Sequence, residues 1–452
     1  MKRFILGLSL LVLAATDRSF GEGPSAVDPD AAQRGREAVW RPLNPPVCTN
    51  RAYENAWTQW GVAEKPAPAE YDRAFRERYG LHLPPYENGK LPMGFHQVRG
   101  LVVKGLGNDC LLCHAGSVAG QTYIGLGNAS LDIQGLYDDL FAAEGIAPLA
   151  RFTFGNVRGT IEAGAVVVYL MQFRDADLNL GKQLKNAFRT DLCQDVPAWW
   201  LLKKKKTMYH TGAIDARSVR ALMPFLLTPL NSGNYIKRQE PVFTDIKAYL
   251  LTLEPPKYPF SIDEPLAARG QGLFKRTCAR CHGTYGPDGS YPNKIIPLDE
   301  IETDPALAEG ISAEAAEHYL KSWFAQETGP DGEPWHGLNE GGYQAPPLDG
   351  VWATAPYLHN GSVPTVYHML NSQVRPKIYT RSYKTEKEDY DQFRLGWKIT
   401  VLDEPPDSNL SSFERRKIYD TTLPGRGNGG HTFGDKLSDE ERMAVIEYLK
   451  TL

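Results

Sequence analysis

The chain has 452 residues, more than one typical domain and enough for two or three. Its 42 glycines and 33 prolines describe a loop-rich globular protein, which excludes collagen-like and disordered classes. With 50 basic against 54 acidic residues and no long basic stripe, it lacks the electrostatic footprint of a nucleic-acid partner.

At the N-terminus, Lys2 and Arg3 precede an apolar run from Phe4 to Ala15, and Ser19-Phe20-Gly21 supplies small residues beyond it. This is the pattern of an export signal, so residues 1–21 are predicted to be a signal peptide and the mature protein periplasmic or secreted. The run is shorter than the roughly 20 residues that span a bilayer, and no later segment reaches that length, so no membrane span is expected in the mature chain. Residues 22–90 read as an N-terminal extension whose Trp40, Trp57 and Trp60 serve packing.

Next come two copies of one pattern, Cys110-Leu111-Leu112-Cys113-His114 and Cys278-Ala279-Arg280-Cys281-His282. Cysteines three apart on a helical turn point the same way and can add to the two vinyl groups of one porphyrin, while the adjacent histidine offers its imidazole to the iron. The competing chemistry is structural zinc, but the two pairs lie about 165 residues apart and each carries its own histidine. Two covalently bound haem c groups are therefore predicted, with His114 and His282 as iron ligands; calcium remains open as a further ion. An exporting compartment also permits Cys48 and Cys193 to pair, a pairing reached by elimination.

The surrounding elements repeat. Pro265 to Phe274 predicts a helix running into the second motif, and Ser438 to Glu441 is a capping box ahead of Val445, Ile446, Leu449 and Leu452 at helical spacing. Ala248-Tyr249-Leu250-Leu251-Thr252-Leu253 parallels the closing Glu447-Tyr448-Leu449-Lys450-Thr451-Leu452. Between the copies, Leu253 to Pro265 is a proline-rich linker. The expected fold is mainly α, with two cytochrome c-like haem domains, 91–256 and 257–452, long loops and the N-terminal extension.

After the second motif, Ala355 to Ser362 reads APYLHNGS, which resembles the bacterial dihaem cytochrome c peroxidase superfamily. LPMGFHQVRG from Leu91, WWLLKKKK from Trp199, GVWATAPYLHNGSVPT from Gly350 and GNGGHTFG from Gly427 are most similar to its rubber oxygenase-like branch. The resemblance covers roughly residues 75–452 and implies that one haem relays electrons while the other reacts. It also implies that His359 supports the second haem's propionates.

Ligands on the second haem faces set these roles. In the peroxidases the relay haem takes a methionine where this chain has Gln373, a departure that leaves Met369 as the nearest sulfur. His431, in the glycine-rich loop Gly425 to Gly434, is the preferred candidate, because glycines let backbone approach a flat porphyrin. The first haem lacks a histidine soon after its motif. His96 and Met93 are alternative ligands there, and an open site is the preferred reading. Trp199, Trp200, Tyr209 and His210 are candidates to line its pocket, against a plain aromatic cluster. Lys203 to Lys206 could dock a small electron-transfer protein or form a solvated face, and Trp352 could conduct between haems or simply pack.

The predicted function is an exported dihaem oxidoreductase, acting as a peroxidase or oxygenase on peroxide, dioxygen or a small apolar substrate. The alternatives are a rubber oxygenase-like dioxygenase and a non-enzymatic dihaem electron carrier.

Overall fold

The computed structural model describes residues 28–99, 104–145, 153–181, 189–337, 341–405 and 407–452. The signal segment 1–21 lies outside them. Among the described residues no helix is long and apolar enough to cross a membrane.

Only 37% of the structure is helical and 13% is in strands, which corrects the expectation of a mainly α fold. Glycines, prolines and stretches of β-forming residues interrupt the helical periodicity, so long loops and small antiparallel pairings fill the space between short helices. The largest such pairings are three-stranded. In one, Lys104–Asn108 lies between Cys48–Thr49 and Phe95–Arg99. In the other, Ile378–Thr380 lies between Thr400–Val401 and Ile418–Asp420.

Two helix pairs organise the molecule. Glu264–Thr277 starts at Asp263, whose side chain accepts the Leu266 N–H, carries Pro265 in its first turn and ends at Cys278. It packs on Asp439–Leu449, where Ser438 and Glu441 form the anticipated capping box. Gly270 sets their approach, because a Cβ there would lie 1.8 Å from the Ala444 carbonyl oxygen. Pro29–Ala38 packs on Glu240–Leu250 in the same way, with a Cβ on Gly35 falling 1.8 Å from the Asp245 oxygen. Arg34 closes that crossing with a two-pronged bond to Asp245, 2.8 and 2.9 Å. The opening phrase Ala-Ala-Gln-Arg-Gly at 31–35 thus has a counterpart in Leu-Ala-Ala-Arg-Gly at 266–270, a repeat not recognised in the sequence because it lay within the stretch read as an extension.

The extension's aromatics pack: Trp40 stacks on Tyr86 at 4.6 Å, Trp60 stacks on Tyr71 at 5.3 Å and donates to the Tyr79 hydroxyl, and Trp57 borders the Phe75 cluster. The proline-rich linker is itself anchored, since the Trp352 indole donates to the Pro256 carbonyl and Tyr258 and Phe260 join the Trp352 core. Cys48 and Cys193 are both buried and free, which corrects their proposed pairing. Cys48 sits opposite Leu106 in the Phe75 cluster, whereas Cys193 packs with Val157, Tyr379 and Tyr419.

The Gly270 crossing yields a paired prediction within one helix. Gly270→Ala should cost roughly 1–3 kcal/mol or more by overpacking. Gly272→Ala, whose nearest foreign atom would be the Arg276 guanidinium at 3.7 Å, should be neutral or stabilising. Thermal melting of both variants checks this.

Candidate haem sites

The first motif forms a short turn, Leu111–His114, started by Asp109, whose Oδ1 accepts the Leu111 N–H at 2.8 Å. Leu111 and Leu112 enter different apolar clusters, so the turn is wedged between them. Gly94, at φ +89°, brings the LPMGFH stretch against it, since a Cβ there would lie 2.4 Å from the Leu112 Cα. That approach places His96 Nδ1 3.2 Å from Asp109 Oδ2, with the buried His96 Nε2 unpartnered, and seats Met93 among Leu111 and Ala115.

The second motif, Ala279–His282, continues the helix that precedes it. Burial pushes the thiols of Cys113 and Cys278 up to about 12, so both remain neutral. Burial also lowers His114 to about 4 and lowers His282, keeping both imidazoles uncharged. The two differ in their partners. His114 Nδ1 is buried without a hydrogen-bond partner, whereas His282 Nδ1 lies 2.8 Å from the Pro346 oxygen. Such a bond sets the tautomer that leaves Nε2 as an electron-pair donor.

The histidine surroundings differ. The His282 and His431 rings have centroids 6.2 Å apart, inclined at 57°. Two imidazoles trans across one metal ion require about 6.3 Å, from bonds of about 2.0–2.1 Å and roughly 1.1 Å between each donor nitrogen and its ring centre. This spacing fits an iron held between them. His114 instead stacks on Trp199 at 4.5 Å and 20°.

His431 is held by its loop. It has φ +47°, and its N–H donates to the Ile301 carbonyl at 2.8 Å. Arg375 donates to the carbonyls of Asn428, Gly430 and His431 at 2.6, 2.7 and 3.2 Å. Asn360 and Ser362, from the APYLHNGS phrase, both donate to Gly427 O. Gly430 passes so near Glu302 that a Cβ would meet its carbonyl carbon at 2.3 Å. Burial, then His282 and Arg375, lower His431 to about 3. Met369 packs its side chain against the Trp352 cluster, and Gln373 is exposed.

His359 stacks on Tyr343 at 3.9 Å and lies 6.4 Å from His210. His210 Nε2 and the Asp195 carbonyl oxygen are 2.9 Å apart, and the Asp195 N–H donates to His359 O. Tyr209 is exposed, and its hydroxyl donates to Ala221 O at 2.6 Å. Trp200 turns away into the core, its indole donating to Asp349 O at 2.9 Å. Trp352 is fully buried among Tyr123, Tyr258 and Tyr390.

The lysine run is largely tied into the fold. Lys203 pairs with Glu254 at 2.5 Å, Lys204 pairs with Asp349 at 2.6 Å, and burial lowers Lys205 to about 8. Among the described residues no three His, Cys, Asp or Glu side chains gather as a metal cluster, so the two thiol pairs do not form one zinc site. Asp195, Tyr343 and Arg375 escaped the sequence reading because none belongs to a spaced motif; tertiary contact alone recruits them.

A family model described as RoxA-like, cytochrome c-like matches residues 342–380. The chain is 31% identical over 294 residues to the uncharacterized protein y4iM of Sinorhizobium fredii (strain NBRC 101917 / NGR234), covering 57% of this chain and 64% of that protein. It is 30% identical over 262 residues to the uncharacterized protein y4iJ of the same strain, covering 44% and 41%. The matches thus span less than two thirds of either relative. A solved chain of Kuenenia stuttgartiensis hydrazine synthase pressurized with 20 bar xenon shares 14% identity, with a TM-score of 0.24, over 64% of this chain and 88% of that one. A cytochrome c-like domain is present, and it implies covalent haem c.

Two measurements probe this framework. Arg375→Gln should raise hydrogen exchange of the 427–431 amides by on the order of tenfold, through loss of the guanidinium clamp. The second concerns His82, beneath the first motif, which burial lowers to about 4 and whose Nε2 faces Asn128 Oδ1 at 3.2 Å. Between about pH 6.5 and 4 the unfolded chain binds a proton that the folded chain refuses, so stability falls as pH drops through this window. His82→Gln should make the melting temperature less pH-dependent there.

Proposed function

We propose that this protein is an exported dihaem c-type oxidoreductase, with residues 91–256 and 257–452 each carrying one haem. In this reading Cys110, Cys113 and His114 hold a reactive haem with an accessible face, while Cys278, Cys281, His282 and His431 hold a low-spin relay. The observation that carries it is the 6.2 Å pairing of the His282 and His431 rings, set against His114, whose ring meets Trp199. Haem c supplies one-electron redox chemistry and, where a coordination position is open, binds small oxidants.

The chain's own residues hold and orient these groups. Thioether bonds through the paired cysteines would fix each haem, the Pro346 carbonyl orients His282, and stacking on Trp199 orients His114. Burial excludes water and keeps the imidazoles neutral. A continuous route also links the two motifs. The Trp199 ring lies on His114, and its neighbour Trp200 donates to Asp349 O. From there Leu348 N–H donates to the Tyr285 hydroxyl at 2.6 Å, and that hydroxyl donates to His282 O at 3.0 Å. This path supports electron transfer between the sites. The rubber oxygenase-like resemblance favours dioxygen and an apolar substrate, and the wider superfamily favours peroxide.

Electron paramagnetic resonance of the oxidised holoprotein tests the assignment. One high-spin and one low-spin iron are expected, with carbon monoxide binding at one site after reduction. His431→Ala should convert the low-spin signal and leave the high-spin one in place. Two low-spin irons without carbon monoxide binding would instead establish an electron carrier, and a mature chain without haem would overturn the reading entirely.

A further inference from the structure

A small cavity lies beneath the APYLHNGS phrase, away from both motif histidines in sequence and built from two parts of the chain. Its volume is about 20 Å³, and its walls include Arg158, Arg381, Tyr379, Tyr383, Trp397 and Tyr419. Space on this scale holds one water-sized particle.

The electrostatics of the cavity are unbalanced. Arg158 is 6% exposed, and it donates through Nε to Ser130 O at 2.7 Å and through Nη2 to Glu77 O at 2.9 Å. Arg381 donates through Nη2 to Ala129 O, and its Nη1 is buried without a partner. Both guanidinium groups flank Tyr383, with centres 5.0 and 4.3 Å from its ring, and Arg381 also lies 4.4 Å from the Trp397 ring. Among the described residues neither arginine forms an ion pair. Asp132, the acid that acts most strongly on Arg158, is held bidentate by Arg416 at 2.7 and 2.9 Å. Asp389, the weakest influence on Arg381, accepts from Ser382 Oγ and Glu386 N–H.

The tyrosine hydroxyls do not offer their protons to the cavity. Tyr379 donates to Ser362 O, Tyr383 to Lys417 O and Tyr419 to Asn360 O. The remaining polar donors are the guanidinium groups. Two cations in an aromatic box, neither of them in an ion pair and with the nearest acids engaged elsewhere, carry a desolvation cost that an anion offsets.

We propose that this cavity binds one free monovalent anion of halide size. Arg381 and Arg158 are its charged donors. The site joins Ala129 and Arg158 to Pro356, Arg381 and Tyr419, so occupancy would brace the two parts of the chain against each other.

The test compares sodium chloride with sodium gluconate at constant ionic strength on the holoprotein. Chloride should raise the melting temperature saturably in the wild type. Arg381→Gln should abolish that rise and Arg381→Lys should retain part of it. A chloride response unchanged in Arg381→Gln, or no chloride response in the wild type, would overturn the proposal. If Arg381→Gln does not fold, the wild-type titration and Arg381→Lys carry the same comparisons. The chloride titration reads the protein whether or not the dihaem assignment holds.

Discussion

A histidine can serve a metal only if it is neutral and its ring is held at a fixed place, and the environment of His431 meets both demands. Burial removes the proton, while the backbone of its loop is tied down from several directions. Ile301 accepts its N–H, Arg375 gathers the carbonyls of Asn428, Gly430 and His431, and Asn360 and Ser362 anchor Gly427. The result is an imidazole whose ring centre is held 6.2 Å from that of His282. A glycine-rich loop without these bonds would spend the same conformational freedom on many arrangements.

The same logic explains the role of the APYLHNGS phrase. Its residues are divided among several tasks. Asn360 and Ser362 brace the His431 loop, His359 stacks on Tyr343 and shares its carbonyl with Asp195, and Gly361 borders the arginine-lined cavity. One short stretch therefore joins the surroundings of the second motif to those of His210 and Arg158. The two glycine-mediated helix crossings, at Gly35 and Gly270, provide the frame that keeps these loops in register.

Asymmetry between the two motifs arises from their neighbours rather than from the motifs. Both present a buried, neutral imidazole, yet one ring lies near His431 and the other stacks on Trp199. The lysine run illustrates the same point on the surface. A string of four like charges reads as a solvated or docking face, but Glu254, Asp349 and burial claim three of its members.

Local chemistry was legible in the sequence wherever it depends on spacing along one segment. The Cys-x-x-Cys-His turns, the capping box at Ser438, the proline-started helix before Cys278 and the glycine loop around His431 all belong to this kind. Contacts between distant segments were not legible, because no periodicity records them. The mainly α expectation failed as helix signals were weighed without the loops and paired strands that separate them, and the Cys48–Cys193 pairing failed because counting cysteines says nothing of which clusters bury them. The sequence by itself determined the two Cys-x-x-Cys-His turns and the helix that runs into the second. Tertiary structure alone decided that the His431 ring lies 6.2 Å from that of His282, that Trp199 lies on His114 and that Arg158 and Arg381 flank one tyrosine, since each depends on packing residues far apart in the chain into one place.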